Sequence, residues 1–420
     1  MADARPLQAL HYNPEKTGPL DRVVAPPYDV IDAGQRAALV ARSPYNVVRI
    51  DLPEGDDPYA QAAAELARWR DEGAVVLDTT PAVWALTQDY DAPGGERATR
   101  AGLFCRVRVE DYGAGRIRPH ERTHPGPKED RLRLTRATRA NLSPIFSLFS
   151  DPAAEAWAAL ASHVTGPPFG EVTDDDGTTH RLWRVGDEYA LEAIERVLEG
   201  KELLIADGHH RYETARVYAE EVGGEGPHRY VLMCLVALED PGLTVFPTHR
   251  LVRGLSSEQQ EALRDAALAA FDVAEVARED IVPAAGGPLQ IGYMDAHHKR
   301  AYRMTLKDPA IVERALPRAS DAYRTLDTAV VETLLLERGL GYTEDDIAHL
   351  RGLGYARDAD QALGWLDDRS YDAAFFLAPT PVQRVRDVAA AGESMPPKST
   401  YFFPKIPTGF LFNPLSERVR

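Results

Sequence analysis

The stretch Lys201-Glu-Leu-Leu-Ile-Ala-Asp-Gly-His-His-Arg-Tyr-Glu-Thr-Ala215 constrains the fold more than any other in the chain. Leu203, Leu204 and Ile205 read as a short buried strand, Asp207-Gly208 as a tight turn, and His210 to Glu221 as a helix with Tyr212, Ala215 and Tyr218 on related faces. Such a junction aims free backbone N–H groups and the positive end of the helix dipole at one spot. His209, His210 and Arg211 stand there, with Asp207 and Glu213 beside them. The simplest tenant is an anion such as phosphate, with the carboxylates left to hold a metal or take a proton. A plain helix cap needs no tenant, but three basic side chains in one turn repel one another unless an anion joins them.

At 420 residues the chain exceeds one ordinary core. Three regions are expected: an N-terminal α/β region over 1–150, a phosphate-binding core over 151–255, and a C-terminal α/β region with a docked tail over 256–420. Alternating strand and helix patterns make the fold class α/β, in the mixed α+β sense. A net charge of −17 argues against a nucleic-acid or acidic-membrane surface on the scale of the molecule. Cys105 and Cys234 sit in apolar strand-like runs, which suits a reducing cytoplasm and offers no disulfide framework. The longest apolar run, Val231 to Leu238, is far short of a membrane span, so a soluble cytoplasmic protein is expected.

Along the chain, Val23 to Ile31 reads as a strand broken by two prolines that present Tyr28 and Asp29 on stiff backbone. Ser43 to Asp51 reads as a second strand, Pro58 to Arg70 as a helix, and Ala82 to Tyr90 and Arg100 to Val109 as strands. Residues 116–139 hold eight Arg/Lys against three acids, a local excess of basic charge that a phosphate-handling cleft needs; a solvated basic helix face is the alternative. His120-Glu-Arg-Thr-His124 matches the zinc-peptidase pattern, which works only on a helix, and Pro125-Gly-Pro127 is expected to stop one. Thr248, His249 and Arg250 fall in a strand, and Ser256 with Gln259 forms a capping pattern for the helix that follows. Lysine is scarce, yet two of the seven lie in Met395-Pro-Pro-Lys-Ser-Thr-Tyr-Phe-Phe-Pro-Lys405, which reads as docked, either on phosphate or by its aromatics.

Several blocks together resemble the signature of the bacterial and archaeal domain of unknown function 1015 family. They are Ala-Pro-Pro-Tyr-Asp-Val (25–30), Pro-His-Glu-Arg-Thr (119–123), Pro-Gly-Pro-Lys-Glu-Asp-Arg (125–131), Asn-Leu-Ser-Pro-Ile (141–145), Ala-Asp-Gly-His-His-Arg-Tyr-Glu-Thr-Ala (206–215) and the tail block 395–405. The Asp-Gly-His-His-Arg block also resembles the phosphate-binding box of the partition-protein-B, sulfiredoxin and free-serine-kinase superfamily. That resemblance implies a partition-protein-B/sulfiredoxin-like core with further α/β regions packed around it. It implies a small-molecule kinase that moves a phosphoryl group from pyrophosphate, ATP or ADP to the hydroxyl of free L-serine, giving O-phosphoserine. A phosphate- or nucleotide-binding regulator and a phosphoserine phosphatase are the alternatives. His209 stands where sulfiredoxins carry Cys, which argues against sulfinic-acid repair.

On that reading Asp207 serves Mg²⁺ or acts as base, His209, His210 and Arg211 hold donor phosphate, and Glu213 is a second carboxylate. Gly208, Arg122, Lys128, Arg131, Lys398, Ser399, Thr400 and Lys405 bind the remaining oxygens, and Tyr28, Asp29, Thr248 and His249 shape the acceptor pocket. Expected partners are therefore small molecules, L-serine and a polyphosphate donor.

Overall fold

Two stretches of strand-rich sequence build two separate sheets in the computed structural model, which describes residues 2–92, 95–113, 116–121 and 125–416. The first unit comprises Met1–Pro119, Thr123–Thr244 and Pro404–Arg420, and the second His120–Arg122 and Val245–Phe403. Residues 1–150 and Gly170–Ala237 thus contribute strands to one sheet, His249–Val252 belongs to the other, and the tail is shared between the units.

The first unit carries a nine-stranded mixed sheet. Its order runs Ile117–Arg118, Leu203–Asp207, Ile145–Phe149, Tyr230–Ala237, Arg97–Arg108, Val83–Asp91, Thr179–Val185, Gly170–Thr173, with Ala4–Arg5 pairing beside Arg97–Arg108. Tyr230–Ala237 is parallel to Ile145–Phe149, while Leu203–Asp207 runs antiparallel to it. The register shifts between Ile205 and Asp207, so a bulge re-aims the strand's last residue where the helix begins. One face buries Leu203, Ile205, Leu103, Cys105, Met233 and Leu235 against the helices Glu155–Ala161, Glu188–Leu198 and His209–Val222. Glu188–Leu198 shows why these helices form: Asp187 accepts from the Ala190 N–H at 2.9 Å, and Ala190, Ile194 and Leu198 repeat every fourth residue toward the sheet.

The second unit is an antiparallel six-stranded sheet in the order Phe271–Val276, Ala301–Leu306, Gln290–Asp295, Ala373–Phe376, His249–Val252, Leu353–Ala356. Alternate residues serve two cores: Val252, Ala373 and Phe375 one, Leu251, Ala374 and Phe376 the other. Ser256 and Gln259 form the expected reciprocal cap on the helix Ser257–Ala270. The architecture is mixed α/β throughout. Among the described residues no helix is long and apolar enough to cross a membrane.

Two local expectations fail for physical reasons. Ser43 to Asp51 is not a strand but ends in the helical turn Val48–Asp51. Asn46 imposes it: its Oδ1 accepts from the Val48 N–H at 3.1 Å, and its amide donates to Arg22 O at 2.9 Å. Pro125-Gly-Pro127 does not stop a helix but begins one, Pro125–Thr138, because the first turn of a helix has no need of the N–H groups proline lacks. His120 lies outside that helix, with its carbonyl accepting from the Met395 N–H at 2.7 Å, so His120 and Glu121 do not form the helical zinc-peptidase face. His124 falls outside the described residues.

Candidate functional site

Strand Leu203–Asp207 passes directly into helix His209–Val222 through Gly208, whose φ is +97°. A Cβ there would stand 3.0 Å from the Arg211 guanidinium, so the turn needs glycine both for its backbone angle and for space. No side chain caps the start of this helix, which leaves its first N–H groups directed at the junction. Arg211 folds back one turn, its Nη2 3.2 Å from Asp207 Oδ2 and its Nη1 donating to Pro144 O. Its Nε is buried without a hydrogen-bond partner among the described residues. From the returning tail, Lys405 Nζ stands 3.7 Å from Asp207 Oδ1. One carboxylate therefore faces two cations at the positive end of a helix.

Beside Arg211 a small cavity of about 40 Å³ is lined on its polar side by Asp51, Arg131, Ser143, Arg211 and Thr214 and otherwise by residues such as Leu134, Leu142 and Val231. Arg131 Nη1 donates to Asp51 Oδ1 at 3.1 Å and to Asp51 O at 2.7 Å. Ser143 Oγ donates to Asp51 Oδ2 at 2.9 Å and lies 3.0 Å from Thr408 Oγ1. The Tyr28 ring covers the Arg131 guanidinium at 4.3 Å. Burial pushes the Tyr28 phenol up to about 12, against the pull of Arg211 and Arg131. Burial likewise pushes the Asp51 carboxyl up, with Arg131 and Ser143 opposing it. Arg131 is raised by Asp51 and Asp130 despite the cost of its burial, and with these contacts the ion pair is the form the geometry supports.

The first unit thus brings together Tyr28, Arg131, Asp207, Gly208, Arg211 and Lys405. Exposed Asp29 acts on the same group electrostatically. His209 at the helix start is buried and His210 half-buried. Lys128 contributes its carbonyl, 3.4 Å from Thr214 Oγ1, which ties Pro125–Thr138 to His209–Val222. Glu213 lies about 200° round the helix from Arg211, with Arg216 at 3.4 Å, and so does not join Asp207 as a second carboxylate. Arg122 falls outside the described residues. Asp51, Ser143 and Thr408 are site residues to which sequence reasoning gave no role; the available signals were an acid closing Val47-Val-Arg-Ile50 and the place of Ser143 inside the block 141–145.

Mg²⁺ does not fit as a resident ion. Among the described residues no group of three or more His, Cys, Asp or Glu could hold a metal, and the Asp207 carboxylate is already neutralised by Arg211 and Lys405.

The remaining expected residues lie in the second unit, where several of their polar atoms bond within that unit. Arg250 donates to Thr248 O at 2.8 Å, Lys398 O at 2.8 Å and Pro397 O at 3.1 Å. Lys398 has a left-handed backbone, φ 56°, and its N–H donates to Glu121 Oε1 at 3.1 Å. Ser399 Oγ donates to Pro396 O at 2.6 Å, and Thr400 Oγ1 meets His120 Nε2 at 2.8 Å. Neither hydroxyl is open to phosphate as expected. Thr248 keeps a buried hydroxyl without a partner.

His249 Nδ1 accepts from the Leu377 N–H at 3.1 Å, and burial pushes the imidazole down to about 4. Burial pushes nearby Asp327 the other way, up to about 6. Folded His249 stays neutral where the unfolded chain takes a proton, so its contribution falls by on the order of 3 kcal/mol as pH drops from about 6.5 to about 4. Folded Asp327 holds its proton longer than the unfolded chain, so its contribution is greatest in acid and falls as pH rises from about 4 to about 6. The two have opposite signs. Urea titrations should find that Asp327→Asn loses more stability than the wild type as pH drops from about 6.5 to about 4; equal losses would show that Asp327 titrates at its ordinary value.

A family model described as "Protein of unknown function (DUF1015)" matches residues 4–329. No curated protein matches. Among solved structures the chain is similar to a conserved hypothetical protein from Pyrococcus furiosus, at 15% identity and TM-score 0.39 over 73% of this chain and 94% of that one. A free serine kinase in complex with AMP matches at 14% identity and TM-score 0.38, over 73% and 92%. SbnI with C-terminal truncation from Staphylococcus aureus matches at 13% and 0.38, over 74% and 87%.

Proposed function

This chain belongs to the DUF1015 family of proteins of unknown function, and we propose that its Asp207–Gly208 junction transfers a phosphoryl group from pyrophosphate, ATP or ADP to the hydroxyl of free L-serine. The observation that carries this reading is the buried, unpartnered Nε of Arg211 at an uncapped helix start, with Lys405 opposite. Phosphoryl transfer asks for positive charge around three equatorial oxygens and for positioning of the attacking hydroxyl, and little covalent chemistry from the protein. Donor oxygens engage the positive end of the helix, Arg211 and Lys405. Asp207, released from those cations, accepts the serine proton as the Oγ–P bond forms and the bridging P–O bond breaks, leaving phosphate, ADP or AMP. Serine as acceptor rests on the resemblance of the Asp-Gly-His box.

Incubation with serine, Mg²⁺ and each donor in turn, followed by assay for O-phosphoserine, tests the reading. Product with at least one donor is expected. No product with any donor, together with no measurable pyrophosphate binding by calorimetry, would end it, and phosphate release from added O-phosphoserine would favour a phosphatase. Lys405→Ala should weaken pyrophosphate binding about tenfold, the loss of one charge-assisted contact.

A further inference from the structure

We infer that Gln88 and Arg100 are positioning residues that hold Lys405 against Asp207 by gripping the backbone carbonyls of Pro404 and Lys405. Both lie more than 300 residues before the tail they hold. The importance given to Lys405 rests on the function proposed above; the grip itself does not.

Arg100 is 1% exposed, and among the described residues no carboxylate stands within ion-pair distance of it. Its Nε donates to Gln88 Oε1 at 3.0 Å and its Nη2 to Pro404 O, with its guanidinium 4.6 Å from the centre of the Phe146 ring. A buried guanidinium bonded to neutral oxygens and a ring, with the Asp240 carboxylate acting on it only beyond ion-pair distance, is costly, and burial lowers it to about 10. An apolar side chain would fill the space more cheaply, so the cation is spent on fixing a carbonyl. Phe146 is also the direct cross-strand partner of Asp207, which puts this grip one strand from the site.

Gln88 completes the arrangement with every hydrogen-bonding position of its amide in use. Oε1 accepts from Arg100, while Nε2 lies 3.0 Å from both Lys405 O and His180 Nδ1. Exchanging amide oxygen and nitrogen would set oxygen against the Lys405 carbonyl, so the network fixes the orientation. It also fixes the tautomer of fully buried His180, whose Nε2–H donates to Asp174 Oδ2 at 2.8 Å. Gln88 thus donates both to Lys405 O and to His180, which in turn donates to Asp174, so buried His180 and Asp174 fix the amide that holds the carbonyl of the residue whose ammonium faces Asp207.

Gln88→Glu is the informative variant. It keeps the shape and gives Arg100 a carboxylate partner, but it cannot donate to Lys405 O or His180. Two measurements on the full-length protein test the inference. Pulse acetylation followed by mass spectrometry reads each lysine separately: Lys405 should react about tenfold faster in Gln88→Glu, as when a charge-assisted contact is lost, with Lys201 unchanged. An unchanged Lys405 rate, or equal acceleration at Lys201, would overturn the inference, the second by showing general loosening. Pyrophosphate calorimetry supplies the cycle: Gln88→Glu and Lys405→Ala should each weaken binding about tenfold and the double variant no further, because one acts through the other. Additive losses would overturn the inference. Absence of pyrophosphate binding in the wild type would sink the proposed function instead, and the acetylation rates would still decide the grip.

Discussion

Asp51→Ala should cost the first unit about 3–5 kcal/mol, the range for removing one partner of a buried ion pair. Asp51 gathers segments that are far apart in sequence: its carboxylate and carbonyl take Arg131 from the helix Pro125–Thr138, and its second oxygen takes Ser143, which lies 3.0 Å from Thr408 of the tail. Alanine leaves the 6%-exposed Arg131 without its buried counter-charge. Asp130, 2.6 Å from Arg131 Nη2, and the Tyr28 ring remain, which places the expected loss toward the lower end of the range. Ser143→Ala removes one hydrogen bond and should cost only about 1 kcal/mol. Urea unfolding of both variants checks the pair. A loss below about 1 kcal/mol for Asp51→Ala would show that Arg131 is satisfied without it.

What the sequence made legible was local. The strand Leu203–Asp207 and the helix after it follow from an apolar run, a glycine and a 3.6-residue repeat, and the cap on Ser257–Ala270 from two residues at fixed spacing. The same reciprocal logic applies at Asp32 and Gln35, where a cap starts the helix Ala33–Arg42. The site was only half legible. Asp207 and Arg211 are four residues apart across one glycine turn, so their contact is local. The approach of Lys405 to Asp207, and the pairing of Asp51 with Arg131, depend on long-range closure that no periodicity records.

The tail shows how composition can be read correctly and its purpose missed. Residues 395–405 are docked as expected, by their aromatics, with Phe246 5.1 Å from the Phe403 ring and His120 5.8 Å from that of the buried Phe402, and by capture of their backbone carbonyls. Within the second unit the 2%-exposed Arg250 holds the carbonyls of Pro397 and Lys398, and within the first the 1%-exposed Arg100 holds that of Pro404. Ser399 and Thr400, which looked like phosphate ligands, spend their hydroxyls on Pro396 and His120. A basic residue inside a strand pattern is normally read as a solvent-facing position, and neither buried arginine carries any other mark in the sequence.

Asp207→Asn should separate binding from chemistry. Asparagine keeps the shape of the side chain and can still accept from Arg211, but it withdraws the negative charge that Arg211 and Lys405 now share. Two cations without their counter-ion at a helix start attract an anion more strongly, so pyrophosphate should bind several-fold tighter than to the wild type. Phosphoryl transfer to serine should fall about 10²–10⁴-fold, the usual worth of a general base. The opposite signs make the test sharp, because a residue that merely supports the junction would weaken binding and turnover together. Calorimetry with pyrophosphate and a single-turnover assay for O-phosphoserine read the two quantities separately. Tighter binding with an unchanged rate would strip Asp207 of its role as base and leave an anion site whose chemistry lies elsewhere.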